Sequence, residues 1–403
     1  MAFVHCGSDE CAKSELDLFQ IAPTQTSIKK SIYFEVPPLS AITEVSPFDF
    51  FIARNGIDYM DLNNMLLYLC CKIVKGDGIT LTRDAAVGLV NYPVVSIFSQ
   101  MDVMLRDRLI SQSNNCYPYR AFIEVVLNYS DDTLATQFSA GLFFKDTPGQ
   151  HEETALNEKL LLNGVDVKIK LTRSKDAFCL MGDAAEGYNL CIVSVSLFVK
   201  KVWVAPVVCL GHAEALLTAN AKYPVDCVGM KVFSIPTGSR VSIQENLFLG
   251  QLPKTLVLGF VDNDAFSGSY AKNPFHFKHY DINFVALYVD GEQIPTKPLQ
   301  SDFEARRCVR EYMNLVQTAG KHMKDRALLI DCVEFAQGHT LFAFDLSPNQ
   351  ECADHYSLIK TRNLRAEICF AKALTATVNM IVCGVFDNVI EINQRRNVLF
   401  DYM

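Results

Sequence analysis

The stretch QENLFLGQLPKTLVLGFVDNDAFSGSYAKNPFHFKHYDINFVALYVDGEQI, residues 244 to 294, decides how this chain is read. Two runs within it, Thr255–Val261 and Asn283–Val289, are apolar, rich in strand formers and short enough to be strands. A long loop of Asn, Gly, Ser and aromatic residues joins them, and the second run ends in the tight-turn pair Asp290-Gly291. No catalytic constellation stands out. The stretch is β-scaffold with elaborate loops, which points away from an enzyme and towards a building block.

The rest of the chain extends the same pattern. Ile32-Tyr33-Phe34-Glu35-Val36 stops at Pro37-Pro38, which cannot donate to a strand ladder. Leu67–Ile73 puts Leu67, Leu69, Cys71 and Ile73 on one face and ends at Gly76-Asp77-Gly78. Val94–Phe98 and Val103–Leu105 follow as strands, with Arg106-Asp107-Arg108 as a polar turn, and Leu190–Val204 is apolar enough on both faces to sit between two layers. Helical periodicity is scarce. Arg120–Tyr129 is one candidate, with Tyr117-Pro118 as the stop of the strand before it; Phe303–Val316 is another, with Asp302 as N-cap; Ala213–Ala221 is a short third. Many short strands with Gly, Pro and Asn turns predict a sandwich, a jelly roll or a barrel.

The order of elements repeats. VMLRDRLI (103–110) precedes the helix candidate near Arg120, and ALYVDGEQI (286–294) precedes the one near Phe303, an offset of about 185 residues. Leu67–Val74 and Thr255–Val261 match at a similar offset. Duplication therefore predicts an arm over 1–30, one domain over 31–204, a linker over 205–222 and a second domain over 223–403.

Bulk properties narrow the function. Half of the 403 residues are hydrophobic and a fifth charged, ample material for buried cores. The net charge of −8 leaves no broad basic field to neutralise phosphates, so direct nucleic-acid binding is not expected; pairs such as Lys200-Lys201, Arg306-Arg307 and Arg395-Arg396 are too small to supply one. The 14 cysteines show no CxxC pair and fall partly inside apolar runs, which suits a reducing compartment. The first residues are acidic where a signal peptide needs a positive start, and no run reaches the roughly 18 apolar residues of a membrane helix. The expectation is a protein made in cytosol or nucleus, without a membrane span.

Candidate chemistry is thin. His276 and His279 form HxxH, but Pro274 and the surrounding aromatics argue for loop packing over a metal site. His5, Cys6 and Cys11 lack a fourth zinc ligand. VDNDAFSG (261–268) alternates Asp and Asn oxygens but lacks the glycine and terminal glutamate of an EF-hand, so Asx turns are the simpler reading. No GxSxG, P-loop or GxGxxG appears. No metal and no cofactor is expected. The aromatic loop carries more signal: Phe266, Tyr270, Phe275, Phe277 and Tyr280 suit an oligomer interface, or the capping of their own sheet ends. The tail ending Phe400-Asp401-Tyr402 reads as docked, and Phe400 and Tyr402 join the interface candidates.

These residues also carry a family resemblance. The stretch from Gln244 through Pro295, with REYMNLVQTAG (310–320), TLFAFDLSP (340–348), FDNVIEINQRRNVLFDY (386–402) and YPYRAFIEVVLNYS (117–130), resembles the major capsid (hexon) proteins of Polinton/Maverick elements and adintovirus-like viruses. The resemblance spans Ser31 to Met403 and is closest from about Leu197 onward. It implies an all-β fold, a double jelly roll of two eight-stranded antiparallel sandwiches with a few short helices. It implies a homotrimer forming a pseudo-hexameric capsomer, capsomer–capsomer contacts and a single-jelly-roll penton or minor capsid protein as partner. It also implies an icosahedral shell enclosing double-stranded DNA, with the chain in the virion after assembly in host nucleus or cytoplasm. At 403 residues the chain leaves little for tower domains on the outer surface.

Other classes give different expectations. A carbohydrate- or receptor-binding jelly roll, of fibre or lectin type, would bind glycans without assembling. A cupin-type enzyme would need a clustered His/Glu metal set, which the sequence does not offer. A minor vertex protein would commonly need only one jelly roll.

Overall fold

The computed structural model describes residues 24–43, 47–53, 58–82, 85–130, 142, 165–183, 187–322, 328–348, 356 and 361–400. The first half contains β1 (Ile28–Val36), β2 (Phe48–Ile52), β3 (Tyr59–Lys75), β4 (Val87–Leu89), α1 (Pro93–Ser96), β5 (Phe98–Leu105) and β6 (Arg108–Ser111). It continues with α2 (Tyr117–Asn128), β7 (Val167–Arg173), α3 (Asp176–Cys179), β8 (Leu180–Gly182) and β9 (Tyr188–Val204). Its strands form the sheets β1-β9-β3 and β2-β7-β5-β6, with the small pair β4-β8.

Helix α4 (Pro206–Ala215) leads to β10 (Ala221–Ile235), β11 (Val241–Gln244), β12 (Thr255–Asp262), α5 (Asn263–Ser267), β13 (Ile282–Val289) and β14 (Glu292–Leu299). Then follow α6 (Val309–Thr318), α7 (Cys332–Ala336), β15 (Leu341–Asp345), β16 (Leu364–Phe370), β17 (Val378–Ile392) and β18 (Val398–Leu399). The sheets are β10-β17-β12-β15, with β18 on β17, and β11-β16-β13-β14. Pairing within each sheet is antiparallel, and the first four strands alternate between the two sheets. That winding is a jelly roll.

The halves superimpose in topology. β1, β9 and β3 take the places of β10, β17 and β12; β2, β7, β5 and β6 take those of β11, β16, β13 and β14. The two hairpins read from the sequence are real: β5 pairs with β6 across Arg106-Asp107, and β13 with β14 across Asp290-Gly291. Both central residues of the second turn have positive φ, 51° and 89°, as a two-residue hairpin turn requires. After each hairpin comes a helix whose N-cap is a buried cysteine in nearly the same conformation, Cys116 (φ −118°, ψ 20°) and Cys308 (φ −131°, ψ 14°).

Several local expectations are corrected. Val94–Ser96 is helical, because Pro93 presets the first turn of α1 and the strand starts only at Phe98. Pro118 likewise lies within the first turn of α2 and does not end a strand. The helix expected from Phe303 starts at Val309: Asp302 and Arg307 pair backbone to backbone, closing a turn in which Arg306 has φ 54°. Pro206 starts α4 directly after β9, so the helix ends at Ala215 and Ala221 already belongs to β10. β1 begins at Ile28, inside the expected arm, and the remainder of that arm up to residue 23 lies outside the described residues. β9 is not buried on both faces: alternate residues are enclosed, while Val193 is 54% exposed.

The packing divides into three cores. One fills the first sandwich, with Phe48, Phe50, Phe98, Leu171 and Val199. One fills the second, with Leu256, Phe260, Leu287, Phe342 and Ile368. The third lies between the halves and holds α2, the aromatic loop and the outer face of β12 and β17.

Candidate assembly surfaces

The junction between the halves is built around α2. Its apolar residues Tyr119, Phe122, Ile123, Val125 and Val126 are all buried, which a helix on a one-sided surface would not need. Tyr119 stacks on Phe266 with centroids 5.5 Å apart and meets Phe275 and Phe277 edge-on at 5.9 and 6.2 Å. Phe122 stacks on Phe275 at 4.7 Å and on Phe277 at 5.7 Å. Offset and edge-to-face geometries of this kind satisfy the ring quadrupoles. Behind them lie Met230, Val257, Val261, Ile381 and Cys383 from β10, β12 and β17. Cys383 and Ile381 of β17 share this core with the α2 residues, and burial there pushes the Cys383 thiol up to about 12.

Polar ties flank this core. The Tyr270 hydroxyl donates to the Tyr188 carbonyl at 2.7 Å, and the Gly182 N–H donates to the Tyr270 carbonyl at 3.0 Å. Lys321 Nζ donates to the Asn128 carbonyl at 2.9 Å. On the other side, Arg106 in the β5–β6 turn donates to the Arg396 carbonyl at 2.9 Å and to Asn397 Oδ1 at 2.7 Å.

The residues expected at a subunit contact are therefore placed differently. Phe275 and Phe277 are enclosed within one chain and present no side-chain surface to a neighbour. Phe266, Tyr270 and Tyr280 are half-buried; Phe266 and Tyr270 face the first half of the same chain. Phe400 is buried in the core of the first half, carried there by β18 together with Val398, Ile390 and Ile392. Tyr402 lies outside the described residues. Interface composition is a property of any packed junction, so the aromatic content could not tell an intrachain contact from an intersubunit one.

The exposed apolar surface lies elsewhere. Strand β1 is exposed along nearly its whole length, and the outer face of β1-β9-β3 carries Leu66 and Tyr68 at 57% and 56% exposure. Register puts them beside Phe198 and Ser196 of β9, and Glu35 of β1 flanks Phe198 from the other side. Ser196 Oγ donates to Glu35 Oε1 at 2.6 Å, which confirms the shared face. The equivalent outer face in the second half is covered: Val257, Val261 and Ile381 are fully buried.

The charged and metal-like motifs are internally matched. Lys200 and Lys201 pair with Asp61 at 2.9 Å and Asp58 at 3.6 Å. Asp262 receives Lys278 at 2.7 Å and Lys272 at 3.4 Å, and Asp264 receives Lys272 at 2.9 Å, so lysines occupy the would-be calcium loop. His279 stacks on Phe303 at 4.3 Å and its Nδ1 accepts from the Asp281 N–H. His276, His279, Tyr280 and Asp281 line an open hollow beside Gly338. Among the described residues no group of three His, Cys, Asp or Glu side chains could hold a metal, and no helix is long and apolar enough to cross a membrane.

No family model matches the chain. It is 24% identical to the uncharacterized protein F54H12.2 of Caenorhabditis elegans, over 94% of this chain and 99% of that protein. A chain of the Sputnik virophage structure superimposes with a TM-score of 0.64 at 10% identity, covering 99% of this chain and 94% of that one. The PBCV-1 virus capsid gives 0.60 at 10% identity over 96% and 99% of the two chains. The mavirus major capsid protein gives 0.53 at 9% identity over 100% and 97%. At such identities the likeness is one of fold, and it runs the length of the chain: this is a double jelly roll, the fold of those viral capsid proteins.

Proposed function

We propose that the chain is a major capsid protein, which trimerises into pseudo-hexameric capsomers of an icosahedral double-stranded DNA virus shell. The observation that carries this is the duplicated jelly roll itself, matched over nearly all of the chain by the mavirus and Faustovirus major capsid proteins. A bare apolar sheet face on the first half supports self-association. The motif resemblance supports a kinship with the Polinton/Maverick and adintovirus-like capsid proteins. On this reading its two domains are the jelly rolls expected over 31–204 and 223–403, extended back to Ile28 and Ala221, where β1 and β10 begin. Its role is architectural rather than enzymatic. It resides in the virion after assembly in host nucleus or cytoplasm, and a single-jelly-roll penton protein closes the vertices.

Solution mass tests the proposal. Light scattering on purified protein should give three times 45.1 kDa, stable on dilution. A strict monomer that binds glycans on an array would instead support a fibre- or lectin-like recognition module.

A further inference from the structure

Two thiols of the second jelly roll lie together. Cys308 is the N-cap of α6 and Cys332 the first residue of α7, and both belong to the core between the halves. Local structure fixes each helix start. The Tyr312 N–H donates to the Cys308 carbonyl at 3.0 Å, closing the first turn of α6. The Asp331 carboxylate caps α7, accepting from the Val333 and Glu334 N–H groups at 2.7 and 2.8 Å, while Glu334 accepts from the Asp331 N–H at 3.0 Å. Tyr312 ties the two starts to one another. Its hydroxyl donates to the Ile330 carbonyl at 3.0 Å, and its ring meets Phe335 edge-on at 6.1 Å. Across that junction the Cys308 and Cys332 side chains face each other at hydrogen-bonding range.

The pair is unequal. Cys308 is only 2% exposed, and burial pushes its thiol up to about 11, with Cys332 and the enclosed carboxylate of Glu311 acting in the same direction. Cys332 is half-buried beside the exposed Val333, so a small solute reaches it first. One thiol is open to attack a reagent and the second stands behind it.

We propose that Cys308 and Cys332 form a reversible disulfide that clamps α6 to α7, with a low-molecular-weight disulfide of the glutathione class as oxidant. The Cys332 thiolate attacks one sulfur of the small disulfide and breaks its S–S bond; one small thiol leaves, taking up the proton that Cys332 gave up. The Cys308 sulfur then attacks the Cys332 sulfur of the mixed disulfide. The second small thiol leaves with the Cys308 proton. Two protein thiols are thereby oxidised by two electrons, and one small disulfide is reduced to two thiols. The bond closes a loop over residues 309–331 and so restricts the unfolded chain. It adds to ties already present in the folded one, the Asn314 side-chain amide of α6 donating to the Ala343 carbonyl of β15 and Phe335 of α7 edge-on to Phe342 at 6.3 Å. A chain kept reduced where it is made gains stability on entering an oxidising medium. The clamp is a property of the single chain and does not rest on the capsid reading.

Oxidised glutathione added to the purified chain tests it. Peptide mass spectrometry without reduction should find the Cys308 and Cys332 peptides joined. Cys116, the matching N-cap cysteine of α2, is shifted by burial alone and should remain a thiol as the internal control. The melting temperature should rise by about 5–10 °C and fall back on adding reductant. Cys308→Ser should stop at glutathione on Cys332, and Cys332→Ser should leave Cys308 unmodified, with circular dichroism checking that each variant keeps its fold. Cys332→Ser replaces a half-exposed residue and keeps the test open if the buried substitution unfolds the chain. Folded protein whose two cysteines stay unlinked, or join other partners, would overturn the pair. Glutathione persisting on Cys332 of the unaltered protein would overturn the part given to Cys308. A linked pair with an unchanged melting temperature would overturn the clamp.

Discussion

Phe122 of α2 lies flat on Phe275 of the second jelly roll, ring centroids 4.7 Å apart and planes 4° from parallel. This stack sits at the middle of the junction, with Phe277 and His339 against the same Phe122 ring. The two sandwiches are thus locked by a helix from one pressed into the loop and sheet face of the other.

Phe275→Ala should cost about 3–5 kcal/mol, since it removes a fully buried aromatic ring and leaves a cavity. Denaturant unfolding is the measurement, and separation into two transitions is the expected sign that the halves have come apart. The double variant with Phe122→Ala should lose less than the sum of the two single losses, because the rings share one contact.

Gly259 has no room for a side chain. A Cβ there would come within 2.6 Å of the Phe277 ring and 3.0 Å of Leu341. Gly259→Ala should destabilise by about 1–3 kcal/mol through overpacking, and adding Phe277→Leu should recover part of it. Chemical denaturation of both variants checks this.

Much of this architecture was legible in the sequence, and the parts that were not have definite causes. The strand pattern, the Asp290-Gly291 turn and the strand–turn–helix repeat are local properties, so they could be read directly. Proline is ambiguous: Pro93 and Pro118 end an extended run or open a helix equally well, and here they open helices. The matched cysteine caps lie in the sequence, but their equivalence emerges only once both helices are aligned by their backbones. The aromatic loop suits an oligomer interface or the packing of its own chain equally well in the sequence, and Phe275 and Phe277 are enclosed within the chain. A usable signal was present in RAFIEVVLNY, where Phe122, Ile123, Val125 and Val126 fill more than one stripe of a helix, the mark of burial from two sides. The alternation that puts Leu67, Leu69, Cys71 and Ile73 inward leaves Leu66 and Tyr68 on the other face of β3, but only the structure shows that face to be exposed.

Asp262 supplies a pH dependence. Burial alone would raise its pKa, but the Lys278 hydrogen bond and the charges of Lys278 and Lys272 outweigh that and hold it below the ordinary value of 3.8. A depressed folded-state pKa contributes stability that is present above 3.8 and lost as pH falls through the lower folded value. Asp262→Asn should therefore lower stability near neutral pH and flatten the acid limb of the unfolding curve below pH 4, where the unaltered protein declines. Melting temperatures between pH 2 and 7 read out the difference.

Burial also silences the thiols of the core. Cys116 is pushed up to about 11, and Cys179 and Cys383 to about 12. Thiolates are the reactive species, so iodoacetamide at neutral pH should spare these three in the folded protein and modify them after denaturation. Peptide mass spectrometry of labelled samples distinguishes the two states.

The proposed role as a shell subunit is tested most directly by imaging the purified oligomer by electron microscopy. The account predicts particles with a hexagonal outline and threefold symmetry, six jelly-roll lobes contributed by three chains. A population of two-lobed single chains, unchanged as concentration rises, would contradict it.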